Sequence, residues 1–298
     1  METYLLAMSV TAGIYALMEL GVNLTWGLAG MINLGLAGFF AVGAYTTAML
    51  TKAGFPIAFG VAATALTAAA TGAVVALITA RLRSDYLAIV TLGFSESVRI
   101  AASNEIWLTN GSDGIAGIPG PWRGLVSPLQ FNLRFLGIVL AVVALVFVLL
   151  QRLSRAPFGR VLRAIRDDED VAAVAGKHVL AFKVRAFALG AAVLGVAGAL
   201  YAHDTSYVAP DIFAPLLTLN VILALVAGGL GNNSGAVLGA ALIVALLEGT
   251  RFVAPLLWFL APAQIAAMRE LLISGLLLAV LRVLPDGILA ERPGETAR

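Results

Sequence analysis

The sequence predicts an all-α polytopic membrane protein, a bundle of about nine transmembrane helices with a single charged loop on the cytoplasmic side. Three observations predict it. Apolar residues make up 60% of the chain and charged residues 12%, against about 45–50% and about 25% in soluble domains, and the mean hydropathy is +0.96. Apolar runs recur at close to the roughly 20 residues that a helix needs to cross a bilayer core of about 30 Å. The charge is also gathered: residues 152–185 carry eight of the 19 Lys and Arg and four of the 17 Asp and Glu.

On that ruler the spans fall near 4–20, 24–50, 56–80, 86–102, 133–150, 185–202, 216–230, 236–255 and 270–284. The first lacks the basic flank of a cleaved signal peptide and reads as a retained span. The second is long and rich in glycine, which leaves a break within it open. Pro255 and Pro262 separate the last two, because proline inside a helix removes a hydrogen bond and clashes with the preceding turn. The repeated pattern of an Asn before a Gly-rich span, at Asn23 and Asn220, is loose, and shared Gly/Ala bias accounts for it.

Basic residues near span ends fix orientation. With Arg81, Arg83, the 152–185 segment and the C-terminal tail inside, 13 of 19 Lys and Arg are cytoplasmic; the N-terminus is then outside and the C-terminus inside. The chain reads as one domain over 1–298, with a cytoplasmic loop at about 152–184 and an outer loop at about 103–132. Turn signals Asn-Gly, Asp-Gly and Pro-Gly-Pro punctuate the outer loop.

Several chemistries are excluded. Cysteine is absent, so there is no disulfide frame or thiol nucleophile. The three lysines precede Ala53, His178 and Val184, so no Gly-Lys-Ser/Thr phosphate loop exists. His178 and His203 fall on opposite sides of the membrane and form no pair. No catalytic residue, metal or cofactor is expected, and no nucleic acid, since the basic residues border apolar spans. An ATP-driven step would need a partner.

Polar residues inside spans are the candidates that remain. Glu96 lies ten residues past Tyr86, about 15 Å along a helix and so near the midplane. Arg99 is one turn on, on the same face. Charges at that depth mark pathways or conformational locks; a local ion pair at a helix interface is the alternative, and both readings stay open. Asn23, Asn33 and Asn220 suit hydrogen bonds between helices. Gly231, Gly235 and Gly239, and Ala191, Gly195 and Ala199, recur every four residues, as close helix packing in lipid requires.

Within the charged loop, Pro157 suits a first helical turn. Phe158, Val161, Leu162 and Ile165 fall on one face, and Arg160, Arg163 and Arg166 are placed on the other. The acidic run 167–170 suits the start of a second short helix and Gly176 its end. A basic amphipathic segment would bind anionic lipid. Four consecutive acids would be repelled there, which favours a protein partner.

These stretches together resemble the permease subunits of bacterial branched-chain amino-acid ABC importers, the LivM-like type. The likeness runs through "GLAGMINLGLAGFFAVGAYTTAML" (27–50), "SDYLAIVTLGFSESVRI" (84–100), "TNGSDGIAGIPGP" (109–121), the block 157–202, "LVAGGLGNNSGAVLGA" (225–240) and the terminal "LPDGILAERP". It implies a permease of the bacterial inner membrane for an amino-acid solute, itself not an enzyme. It implies as partners a second related permease, two cytoplasmic ATPase subunits and a periplasmic solute-binding protein, with lipid around the bundle. "EDVAAVAG" (169–176) looks like the loop that seats in the ATPase, which assigns Arg160, Arg163, Asp168, Glu169, Ala172 and Gly176 to coupling. Asn33, Gly35, Glu96, Arg99 and Asn220, on the second, fourth and seventh spans, are then the pathway candidates.

The chain departs from the family where many relatives read Ser-Leu-Gly-His: here Asn33-Leu34-Gly35-Leu36 stands, which bears on the solute. A urea- or amide-type member of the superfamily is the nearest alternative. An ion-coupled secondary carrier with Glu96 as its proton site is the alternative from another class.

Overall fold

A computed structural model describes residues 2–79, 82, 84–253 and 262–291. The architecture is an all-α polytopic membrane bundle. Its first half holds α1 (Glu2–Val22), α2 (Leu36–Lys52), α3 (Ile57–Thr79), α4 (Ser84–Asn104) and the single turn α5 (Ile106–Thr109). Then come α6 (Pro128–Arg155), α7 (Pro157–Asp167), α8 (Glu169–Val174) and α9 (Val179–Thr205). The chain ends with α10 (Pro215–Gly228), α11 (Asn233–Val253) and α12 (Pro262–Val283). Among the described residues, Thr3–Leu28, Ile57–Thr79, Pro128–Arg155 and Val179–Thr205 are long and apolar enough to cross a bilayer.

The expected second span at 24–50 is corrected. Residues Asn23–Leu28 continue α1 as a π-helical turn, and 29–35 are irregular before α2 begins. Gly30 ends the first helix: it takes φ +69°, and Met31 N–H donates back to the Thr25 carbonyl at 2.9 Å, the bond of a glycine-terminated helix. Hydropathy runs unbroken through this point, so it carries no mark of the stop. The ninth span is also longer than 270–284, because α12 starts at Pro262, where a helix tolerates a proline with no N–H to offer. Pro255 lies outside the described residues.

Helix α9 is the centre of the bundle, lying along α2 and α3 and against α1. Its small residues make this possible. A Cβ on Gly198 would overlap the Phe40 carbonyl, one on Gly43 the Gly195 carbonyl, and one on Gly195 would sit 2.5 Å from the Ala68 Cβ. The face Ala191, Gly195, Ala199 is therefore a backbone-to-backbone seam. The second glycine series is only partly a face: Gly235 and Gly239 pack on α10, whereas Gly231 precedes α11 in a turn at φ +82°.

The loop at 103–132 is folded onto one end of α9. β1 (Ile115–Ala116) pairs antiparallel with β2 (Tyr207–Val208), and Lys52 Nζ donates to the Ala116 carbonyl at 3.1 Å. The Arg123 guanidinium lies over the Phe131 ring, 4.4 Å from its centroid, and donates to the His203 and Asp204 carbonyls. Buried His203 donates from Nδ1 to the Pro119 carbonyl at 2.7 Å, which leaves Nε2 to accept from Thr47 Oγ1 at 2.9 Å. His178 caps the opposite end of α9.

Candidate functional site

At that opposite end the charged segment forms two short helices, each with local signals at its ends. Pro157 opens α7, and its Leu162 and Ile165 are buried while Phe158 stacks on Phe182 of α9 at 5.5 Å. Asp168 caps α8, its Oδ1 accepting from Val171 N–H at 3.0 Å. Gly176, at φ +77°, closes α8, with Lys177 N–H bonded back to the Ala172 carbonyl at 3.2 Å. Glu169 pairs with Lys183 of α9, and Ala172 is buried, so the roll of α8 is set. Among the residues left outward beside Asp170 are two valines, Val171 at 64% and Val174 at 91% exposure.

The three arginines do not share one solvent face, which corrects the expectation for Arg163 and Arg166. Arg160 is exposed. Arg163 Nε donates to Glu291 Oε1 at 2.8 Å, and its NH1 donates to the Ser154 carbonyl at 3.1 Å. Arg166 NH1 donates to Glu291 Oε2 at 2.8 Å and to the Gly27 carbonyl at 2.5 Å. The reason is helical drift. A step of three residues falls about 60° short of a full turn, so successive arginines rotate from solvent toward the buried side.

The pathway candidates separate into three places. Asn33 is buried in the break before α2, its Oδ1 accepting from Gly35 N–H at 2.8 Å. Leu34 N–H donates to Thr91 Oγ1 at 3.1 Å, and a Cβ on Gly35 would lie 2.6 Å from the Thr91 carbonyl, so this break is fastened to α4. Glu96 and Arg99 form a two-pronged ion pair along α4, Arg99 Nε reaching both carboxylate oxygens at 3.1 and 3.0 Å. Their side chains are 35% and 27% exposed, so the pair sits on the outer face of this chain's bundle and is not buried inside it. Gly93 and Ser97 are exposed on the same helix. Asn220 lies elsewhere, lining an open pocket of about 290 Å³ between α1, α10 and α11 with Tyr15, Asp211 and Glu248.

Two further buried polar groups, Asn23 and Asn233, hold a separate network at the start of α11. Asn23 accepts from Gly231 N–H at 2.8 Å and donates to Asn233 Oδ1 at 3.0 Å, and Asn233 donates to Gln151 Oε1 at 3.0 Å. Asn23→Leu is expected to strand the Gly231 N–H and the Asn233 Oδ1. At about 1–3 kcal/mol for each unsatisfied buried group, the thermal midpoint of the detergent-solubilised chain should fall, and an unchanged midpoint would count against the network.

Glu19 is the residue that sequence reasoning missed. It is fully buried, with neither carboxylate oxygen bonded among the described residues, and a Cβ on Gly239 would lie 2.5 Å from its Oε2, so the glycine makes room for it. The signal was present: Glu19 is the only charged residue between Glu2 and Lys52.

Comparison with known proteins places this arrangement. The family model described as the branched-chain amino acid transport system / permease component matches residues 4–281. The chain belongs to the branched-chain amino-acid permease family. It is 36% identical over 260 residues to the high-affinity branched-chain amino acid transport system permease protein LivM of Escherichia coli, covering 79% of this chain and 61% of that one. This chain thus spans less than two thirds of that relative. It is 28% identical over 326 residues to a probable LivM permease of Methanocaldococcus jannaschii, covering 94% and 92%. It is 26% identical over 236 residues to the autoinducer 2 import system permease protein LsrC of Escherichia coli O9:H4, covering 78% and 66%. No solved structure matches the chain. As a member of this family, with apolar helices long enough to cross a bilayer, the chain is a multi-pass membrane protein.

Proposed function

We propose that this chain is the transmembrane permease subunit of an ATP-driven importer for branched-chain amino acids in the bacterial inner membrane. In this reading 1–298 form one permease domain of nine spans, N-terminus outside, with 103–132 facing the periplasm. A second related permease completes the pathway, two cytoplasmic ATPase subunits drive it, and a periplasmic binding protein delivers the solute.

The observation that carries the reading is α8. A capped, oriented helix at the charged end holds two valines exposed, an arrangement that gains free energy when a protein surface covers them. The α4 face gives independent support. A mid-helix Glu96–Arg99 pair on the outer face is costly against lipid hydrocarbon, and a water-lined pathway shared with a second permease removes that cost. The fastening of the Asn33–Gly35 break to α4 puts these two candidate regions on one moving unit.

Reconstituted uptake tests the reading. The chain is assembled in vesicles with its partner permease, ATPases and binding protein, and leucine uptake is measured with and without ATP. Uptake that requires ATP and the binding protein is expected. Uptake by the chain alone, driven by an ion gradient, would replace the reading with a secondary carrier. Likeness to an autoinducer 2 permease and the Asn33-Leu34-Gly35-Leu36 departure favour a second reading in which the machinery is the same and the solute differs; a panel including urea and amides separates the two. In that assay Glu96→Gln is expected to cut uptake at least tenfold while leaving the amount of chain in the membrane unchanged, since it breaks the pair and leaves Arg99 uncompensated. Uptake within twofold of the parent would remove Glu96 and Arg99 from the pathway.

A further inference from the structure

The C-terminal segment 284–291 is bound into the charged end at four points, none of which the permease reading has used. Ile288 N–H donates to the Ala227 carbonyl and Leu289 N–H to the Gly228 carbonyl, both at 2.9 Å. These are final carbonyls of α10, which a helix cannot satisfy itself. Asn232 Nδ2 donates to the Leu289 carbonyl at 3.2 Å, which binds the same segment to the α10–α11 turn. Glu291 then spans Arg163 and Arg166 of α7, and Arg166 reaches on to the Gly27 carbonyl at the end of the first helix.

The glycines around this segment are shaped to it. Gly229 and Gly287 both hold positive φ, and a Cβ on Gly287 would stand 2.5 Å from the Gly229 Cα. A Cβ on Gly231 would stand 2.6 Å from Glu291 Oε2. Close backbone approach at three positions is what a fixed tail needs, and a merely adjacent tail would not require it.

We propose that Glu291 is a positioning residue for α7: it clasps the two arginines and, through the main chain at 288–289, makes α7 move as one body with the α10–α11 turn and the end of the first helix. Force applied at α8 then reaches the membrane helices by two routes, along α9 and through this clasp. The role rests on the ATPase-coupling reading, whereas the clasp itself does not. Two half-buried guanidinium groups share this carboxylate, so removing its charge leaves Arg163 without a counter-ion among the described residues and leaves Arg166 only its 3.4 Å contact with exposed Asp167.

The chain has no cysteine, so spin labels can be placed cleanly by Ala164→Cys on α7 and Ser234→Cys on α11, both exposed positions. In the full assembly in lipid nanodiscs, a narrow distance distribution is expected with Glu291 intact and a broad one with Glu291→Gln. Solute moved per ATP hydrolysed is expected to fall by at least about fivefold, the low end of ordinary coupling between sites. Glu291→Asp keeps the charge and is expected to hold the narrow distribution and most of the transport ratio. If Glu291→Gln fails to accumulate, Arg163→Gln removes half of the clasp and is expected to broaden the same distribution. An unchanged distribution in either variant overturns the clasp. A broadened distribution with an unchanged transport ratio overturns the positioning role. Broadening in an assembly whose uptake never depends on ATP sustains the clasp and removes the ATPase reading beneath it.

Discussion

On the proposed role of α8, Val174→Asp is expected to leave the chain folded in the membrane and to strip the ATPase from it. Val174 makes almost no contact within the chain, with 91% of its surface exposed, so replacing it removes little that holds the bundle together. Its direction is nonetheless fixed. Asp168 caps the start of α8, Glu169 holds Lys183 of α9, Ala172 is buried beneath, and Gly176 turns the chain away at the end. Burying a valine contributes about 1.5–3 kcal/mol, and a carboxylate set in the same interface adds an uncompensated charge. Together these predict affinity weaker by on the order of 100-fold, since each 1.4 kcal/mol is about tenfold. Titration of the ATPase onto the permease pair in nanodiscs measures it. Asp170→Asn, exposed on the same helix, is expected to change affinity little. Equal affinity for parent and Val174→Asp would place the docking surface elsewhere.

The charged segment was legible in sequence because everything that shapes α7 and α8 is local. A proline at a first turn, acids at a helix start and a glycine beyond a last turn each act within four residues, and each is where the pattern placed it; that Asp168 is the cap comes from the structure alone. Span edges were less legible, since charge does not end a helix. Helix α9 begins at Val179 and carries Lys183 and Arg185 within it, so its apolar stretch from 185 understates it. The glycines of the second span left a break open, but its place at 29–35 was not legible, because glycines recur along the whole stretch and only Gly30 takes the conformation that ends the first helix. The destination of Arg163 and Arg166 was not legible at all. It depends on Glu291, more than a hundred residues away, and on α10 ending where the tail can reach its carbonyls. Glu19 stood in plain view as a lone charge in an apolar span; only the packed bundle gives it weight, by burying it against Gly239.

Gly43→Val is expected to be the most damaging substitution to stability. In lipid, helices gain nothing from hiding apolar surface from water, so association rests on close packing and on hydrogen bonds between them. The α2–α9 seam is built on that basis, with Gly43 against the Gly195 carbonyl, Gly198 against the Phe40 carbonyl, and Thr64 Oγ1 donating to the Gly43 carbonyl at 3.2 Å. A valine at 43 would press on backbone, which cannot rotate aside as a side chain can. The helices must separate, and dispersion falls steeply over a gap of even an ångström. A loss of about 3 kcal/mol, the upper end of ordinary overpacking, is expected. It should appear as a lower thermal midpoint in detergent and as poor accumulation in the membrane. Gly93 gives the contrast that makes this informative. A Cβ there meets nothing within 4 Å, and the residue is exposed on α4 beside Glu96. Gly93→Leu should therefore leave the midpoint of the isolated chain in place. If α4 faces a second permease, the same substitution should weaken pairing, measured by co-purification of the two. A stable but unpaired Gly93→Leu chain and an unstable Gly43→Val chain would separate the glycines that build this subunit from those that let it meet another. Normal stability in Gly43→Val would instead refute the close α2–α9 seam on which the bundle is organised.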